Sequence, residues 1–241
     1  MTSWSEAADR LRAQILSGEL RAGQQLPGER ELAARLGCSR PSLREALRVL
    51  EAQGLLRVND RGSGTLVRDE AFSTFASTLE LQTVLGHYRE ADIVRTRIAI
   101  EAWSCREAAR VADAEAVATL AELITAMDEA RAHREFNDLD AQFHLDICRM
   151  TDNPIAAELM QGLRGAITRQ MVAIYSRLPD WRRVADGVQV EHRQIWQAIR
   201  DRDGEFAEAG VRSHLDRFFA DLLHSHPSAA PGTGRHLDWA P

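Results

Sequence analysis

Asp140 and His144 stand four residues apart. On a helix that spacing puts a carboxylate and an imidazole on one face, with Cβ atoms ~5–6 Å apart, close enough for both to reach one divalent cation. Phe143 and Ile147 mark a neighbouring apolar stripe, so the same helix faces a core. The spacing is also common by chance, and a lone histidine on a half-apolar face is more often a hydrogen-bonded core residue than a ligand. Arg97 precedes Glu101 by four residues, the separation of an i,i+4 ion pair worth a few tenths of a kcal/mol. A third pattern is the row Arg40, Arg44 and Arg48, again at steps of four, with Ser42 beside it. Guanidinium forks suit phosphate oxygens and the acceptor edge of guanine, while serine hydroxyls and backbone N–H groups suit phosphate. The competing reading is a solvated positive face on an ordinary helix.

The arginine row needs a helix to carry it. Ser39 is a good N-cap, Pro41 is tolerated in a first turn, and Leu43, Ala46, Leu47 and Leu50 form an inward stripe. A helix near Ser5 to Ser17 and another from about Glu29 to Leu36 precede it, the latter stopped by Gly37. Two helices joined by a three-residue turn make a helix-turn-helix candidate. The segments Leu56 to Asn59 and Thr65 to Arg68 pair as strands across Asp60 to Gly64, a wing whose tip presents Arg61 and glycine backbone. Beyond residue 71 the pattern is long and helical until Pro227, after which a tail reads as disordered.

Charge divides the chain at the same place. The formal net charge of −6 argues against nucleic acid only if evenly spread. Residues 1–70 hold 11 arginines against 10 acids, a net of +1, whereas residues 71–241 hold 19 against 26, a net of −7. All 30 basic residues are arginine. The length of 241 residues with 44% hydrophobic content excludes a disordered or fibrous chain and allows two small domains. No apolar run is long enough for a membrane helix, and the acidic N-terminus has no signal-peptide core, so a cytoplasmic protein is expected. The odd, scattered cysteines Cys38, Cys105 and Cys148 indicate neither a disulfide framework nor a cysteine metal site.

Residues 11–67 closely resemble the winged-helix domain of the GntR family of bacterial transcription regulators. The resemblance rests on Gly18, Pro27-Gly28-Glu29-Arg30, Leu32-Ala33, Ser39-Arg40, Arg44-Glu45-Ala46-Leu47, Gly54 and Gly62-x-Gly64. It implies double-stranded DNA as partner, with Arg30, Arg40 and Arg44 on bases or phosphates, Ser39 and Ser42 on the backbone, and Arg61 and Gly62 at a wing tip. Residues 75–225 resemble the FCD domain of the FadR-type branch. Here the matching stretches are Arg97-x-x-x-Glu101, Asp140-x-x-Phe143-His144, Asn153-Pro154, Glu191-His192-x-x-Ile195 with Ala198-Ile199, and His214-Leu215. The implied metal set is Asp140, His144, His192 and His214, and His192 and His214 each fall in a late helix beside inward residues. Three imidazoles and one carboxylate suit zinc first, with nickel, manganese or iron as alternatives. His87, His133, His224, His226 and His236 are expected at the surface or in the tail.

The expected fold is mainly α: a winged helix-turn-helix with a small β-hairpin over 1–70, a linker over 71–84, an all-α FCD bundle over 85–225 and a disordered tail over 226–241. The family further implies a homodimeric regulator, a repressor in the leading reading, that binds a palindromic operator. Its release is expected from a small carboxylate effector meeting the metal centre and Arg97. Two other readings stand beside it: a purely metal-responsive regulator or structural metal, and a metal-dependent enzyme. The enzyme reading is weakened by the absence of a recognisable further base and by the superfluous winged helix.

Overall fold

The computed structural model describes residues 2–59, 64–69 and 74–225. They form two compact units, dividing between Phe75 and Ala76. The first holds α1 (Trp4–Leu16), α2 (Glu29–Leu36), α3 (Arg40–Ala52), β1 (Leu56–Asn59) and β2 (Gly64–Val67). A capping box starts α1: Ser3 Oγ accepts from the Glu6 N–H at 3.2 Å, and the Glu6 carboxylate accepts from the Ser3 N–H at 2.8 Å. Gly37 closes α2 in the left-handed region, φ 69°, which only glycine adopts cheaply, and the chain then turns into α3. Leu43, Ala46, Leu47 and Leu50 of α3 are buried against Leu11, Leu32, Leu36, Leu56 and Val67, so the inward stripe packs as its spacing requires. That burial leaves the arginine row outside.

β1 and β2 pair antiparallel with Leu56 opposite Val67. The other edge of β2 is held as well, because the Leu26 N–H donates to Thr65 O at 2.8 Å and the Val67 N–H to Gln24 O at 2.9 Å. At Gly64, φ is +86°, a backbone conformation that favours glycine, and an added Cβ would also push aside the end of the Gln25 side chain, 2.7 Å away. Arg61, Gly62 and the tail 226–241 lie outside the described residues.

The second unit is helical throughout its described residues: α4 (Thr74–Val84), α5 (Glu90–Val111), α6 (Ala114–Glu129), α7 (His133–Arg149), α8 (Pro154–Tyr175), α9 (Trp181–Arg200) and α10 (Gly204–Ser225). Side chains of Asp113, Asn153 and Asp180 accept from first-turn N–H groups of α6, α8 and α9. The long α5 lies against α7, α8, α9 and α10, while α6 packs on α7 and α9. Their shared core includes Ile93, Phe136, Phe143, Ile147, Leu163, Ile195, Val211 and Leu215. Buried among these apolar side chains are Arg97, Glu101, Asn137, Asp140, His144, Gln189, His192 and His214.

The stretch 71–84, expected as a linker, is helical over most of its length. The reason lies in α8: a Cβ at Gly162 would come within 2.9 Å of the Leu79 Cβ and 3.0 Å of Ala76 O, so the missing side chain admits α4 against the bundle. Ala76 is buried and Leu79 packs on the core. Gly162→Leu is therefore expected to displace α4, at a cost of about 1–3 kcal/mol from overpacking. Limited proteolysis checks this, with faster cleavage between residues 70 and 85 in the variant.

Candidate metal centre and nucleic-acid interface

Three helices of the second unit bring four side chains to one spot. Asp140 and His144 come from α7, one turn apart, His192 from α9 and His214 from α10. One ligand atom from each lies within 4.8 Å of all the others, and their residues are only 0–4% exposed. Donors that share an ion at ~2.1 Å are at most ~4.2 Å apart, so a closing movement of a few tenths of an ångström completes the set.

The outer nitrogens decide which way the rings face. His144 Nδ1 faces Glu101 Oε2 at 2.5 Å, His192 Nδ1 meets Gln189 Oε1 at 3.1 Å, and His214 Nδ1 meets Glu191 Oε2 at 2.7 Å. Gln189 is itself oriented, because its amide nitrogen donates to Ile124 O and to Asp128 Oδ1, both at 2.9 Å. Its oxygen is thus left for the imidazole, which must be the donor. Glu191 does the same at His214 and is itself held by Arg217 at 2.7 Å, while the Glu101 carboxylate lies against His144 as an ion-pair neighbour. At His192 and His214 the ring proton is spent outward, so Nε2 presents a lone pair inward, the tautomer a metal ligand needs.

The centre of the cluster then has acceptors facing acceptors. His192 Nε2 lies 3.2 Å from Asp140 Oδ1 and His144 Nε2 lies 3.9 Å from it. Neither Nε2, nor either Asp140 oxygen, has a hydrogen-bond partner. Buried polar atoms left in this condition are rare in folded proteins, and a divalent cation satisfies all four at once. Protonation is the alternative, and burial opposes it: desolvation pushes the His192 pKa below its usual value, and desolvation with the neighbouring His192 and His144 pushes His214 well below. Burial works against the charged form of Asp140 too, but contact with His192 and the nearby positive groups outweigh it and hold the carboxyl low. His192, His214 and Asp140 are therefore disposed to the unprotonated forms that bind a cation. Three imidazoles and a carboxylate match zinc, nickel, manganese or iron(II).

Arg97 is 2% exposed and pairs through Nε with Glu101 Oε1. Burial raises the Glu101 pKa, yet Arg97 and His144 overcome it and bring the carboxyl to about 2. Arg97 thus anchors the carboxylate that aims His144, while its second terminal nitrogen, NH2, has no hydrogen-bond partner. In the sequence reading Glu101 figures only as an ion-pair partner of Arg97 and Glu191 only within a matching stretch, and Gln189 has no part. Their signals were present in outline, since Glu101 follows Arg97 by four and Gln189 precedes His192 by three, but a partner across helices cannot be inferred from one strand of spacing.

In the first unit, Arg40, Arg44 and Arg48 lie exposed along α3, whose first turn carries no acid. Glu29, the first residue of α2, reaches both Arg44 Nε at 2.9 Å and Arg40 NH2 at 3.5 Å. This carboxylate, whose pairing the sequence reading did not assign, spans the turn and holds two guanidinium groups side by side. Arg30 is exposed and forms no ion pair among the described residues. Ser39 Oγ accepts from the Ser42 N–H at 3.2 Å and bonds the Ser42 hydroxyl at 2.9 Å, so both serines are partly spent on capping α3. A cleft of about 490 Å3 runs beside the row, lined by Gly28, Glu29, Arg44, Arg48, Val58 and Thr65.

A winged helix with an exposed arginine helix, on the same chain as a helical unit with a buried ligand cluster, defines the two-unit class of transcription regulator. Residues 4–67 match the model of the bacterial regulatory proteins of the gntR family, and residues 92–217 match that of the FCD domain. The chain belongs to the GntR family, with an FCD domain as its second unit. It is 31% identical over 221 residues to the L-lactate dehydrogenase operon regulatory protein of Escherichia coli strain K12, covering 87% of this chain and 82% of that one. The Glc operon transcriptional activator of the same strain is 27% identical over 217 residues, with 88% and 84% covered. The transcriptional repressor NanR of Salmonella newport strain SL254 is 30% identical over 215 residues, with 86% and 80% covered. Streptococcus agalactiae GntR shares the fold with a TM-score of 0.60 at 22% identity, covering 90% of this chain and 99% of that one. These relatives regulate transcription and are not enzymes. Among the described residues no helix is long and apolar enough to cross a membrane.

Two measurements test the centre. Asp140→Ala and His214→Ala are each expected to reduce bound metal, by elemental analysis, from near stoichiometric to near zero; chelation of the wild-type chain should lower its stability by about 3–4 kcal/mol where free metal had exceeded Kd a hundred- to thousandfold. The metal-free chain should respond to acid. His192 and His214 have folded-state pKa values below the ordinary 6.5, so their contribution is full above that pH and is lost as pH falls below it, by up to about 1.4 kcal/mol per unit for each ring. Urea unfolding of metal-free protein at about pH 7.5 and about pH 5.5 reads the loss.

Proposed function

We propose that this protein is a homodimeric repressor of an operon for small organic acids, released from a palindromic operator when a carboxylate effector enters the FCD unit. The observation that carries the reading is the juxtaposition of the four-donor cluster with the unpartnered NH2 of Arg97, a positive group buried beside a candidate cation site. A divalent cation bound by Asp140, His144, His192 and His214 would supply Lewis-acid charge and open positions for oxygen donors. Arg97 would hold a carboxylate oxygen through NH2 while its Nε stays on Glu101, a division of labour that a lysine ammonium could not make. The relative named for the L-lactate dehydrogenase operon supports the acid class, L-lactate being a small hydroxycarboxylate. NanR supports the repressor direction, and the Glc operon activator supports the opposite one.

On DNA, Arg40 and Arg44 are the residues proposed to enter the major groove, with Arg30 and the hydroxyls of Ser39 and Ser42 at phosphates and Arg61 and Gly62 at the wing tip. Glu29 sets the spacing of the two guanidinium groups before contact. Effector binding would act by favouring one of two arrangements of the dimer, and so of the half-site spacing.

Fluorescence anisotropy with DNA from upstream of the protein's own gene tests both halves. Arg40→Ala and Arg44→Ala are expected to weaken binding at least tenfold, and loss of a phosphate contact should flatten the salt dependence by about 0.9 in log–log slope. Millimolar L-lactate or a related acid should release metal-loaded wild type but not Arg97→Ala. If chelation alone releases the DNA and no acid does, the protein is a metal sensor instead. Transcript levels in a deletion strain give the sign, rising for a repressor and falling for an activator.

A further inference from the structure

Asn137 is completely buried on α7, yet neither its amide nitrogen nor its amide oxygen has a hydrogen-bond partner. It precedes Asp140 by three residues and His144 by seven, so all three project from one face of the helix. A buried amide with both ends unmet costs the folded chain a desolvation penalty, and other buried amides here show what satisfaction looks like: Gln189 uses its nitrogen twice and its oxygen once. The core in which α7 is buried is built largely from apolar side chains such as Phe136, Phe143 and Ile147. The residue is placed for a guest rather than for the fold.

A second buried polar atom is unmet as well: NH2 of Arg97, whose coulombic influence reaches Asp140 one turn from Asn137. A cavity of about 270 Å3 includes Ile93, four residues before Arg97 on α5, in its lining. The donor and acceptor that Asn137 offers are complementary to a group that both accepts and donates, and a hydroxyl does so with a single oxygen. A carboxylate, which only accepts, would leave the amide oxygen unmet.

We propose that Asn137 is the residue that reads the hydroxyl of the effector, so that the FCD unit selects hydroxycarboxylates over the same carboxylates lacking the hydroxyl. The assignment rests on the effector reading given above and adds to it the chemical class and the residue that selects it. Discrimination of this kind is strong because a buried polar group left unpaired is costly, whereas an apolar lining would distinguish the two acids weakly.

Isothermal titration of full-length, metal-loaded protein with L-lactate against propanoate, and with malate against succinate, tests it. Wild type is expected to bind each hydroxy acid at least tenfold more tightly than its partner. Asn137→Leu, close in shape, should bring each ratio to within about twofold while retaining metal by elemental analysis. It should also raise the unfolding midpoint of the ligand-free protein, because the unmet amide is gone; a residue with a structural role would give a lower midpoint. Asn137→Ala provides the same binding comparison if the leucine variant does not fold. A preserved preference in either variant, a lowered midpoint in a folded Asn137→Leu, or wild-type binding without preference overturns the assignment and leaves the effector reading standing. Failure of wild type to bind any of the four acids overturns both.

Discussion

The orientation of three imidazole rings governs this protein's second unit. Gln189 and Glu191 take the Nδ1 hydrogens of His192 and His214, and Glu101 lies against Nδ1 of His144, so that the ring faces carrying Nε2 turn toward the Asp140 carboxylate. The protein offers these inward atoms no hydrogen-bond partner, and a cation brought to them would meet that need. The packing follows from this need. α5 must lie close enough for Glu101 to reach α7, α6 must come near α9 so that Ile124 and Asp128 can orient Gln189, and α10 must be long enough to deliver His214 beside Glu191.

The same device recurs, more loosely, in the DNA-reading unit. Glu29 collects Arg40 and Arg44 across the turn, as Glu101 collects Arg97 and His144 across two helices. The exposed pairs are screened by solvent and contribute little stability, so their effect is positional. The buried ones are different. With Arg97, Glu101 and His144 at 1–2% exposure, removal of any member strands a charge or a donor in apolar surroundings.

Much of this was legible from spacing. The α3 stripe and the i,i+4 pair Asp140 and His144 follow from helical periodicity alone, and α2, α3 and β1 begin where capping and turn chemistry place them. The convergence of α9 and α10 on α7 was not readable from pattern, and came from the family resemblance. The roles of Gln189 and Glu29 escaped notice because what matters about each is a partner on another element, and local periodicity carries no information about that. The helix over 74–84 was missed for a related cause: its stretch of Thr, Ser and Phe reads weakly, and what secures it is the absent side chain of Gly162 on α8. Asn137 could not be distinguished from any surface amide until its burial was known.

The four donors of the cluster are 0–4% exposed. A site so enclosed would exchange its contents only as often as the helices part, so occupancy would be a matter of rates as well as affinity. An ion captured while the chain folds would stay through many later changes in supply, and the protein would carry a record of the metal pool in which it was made.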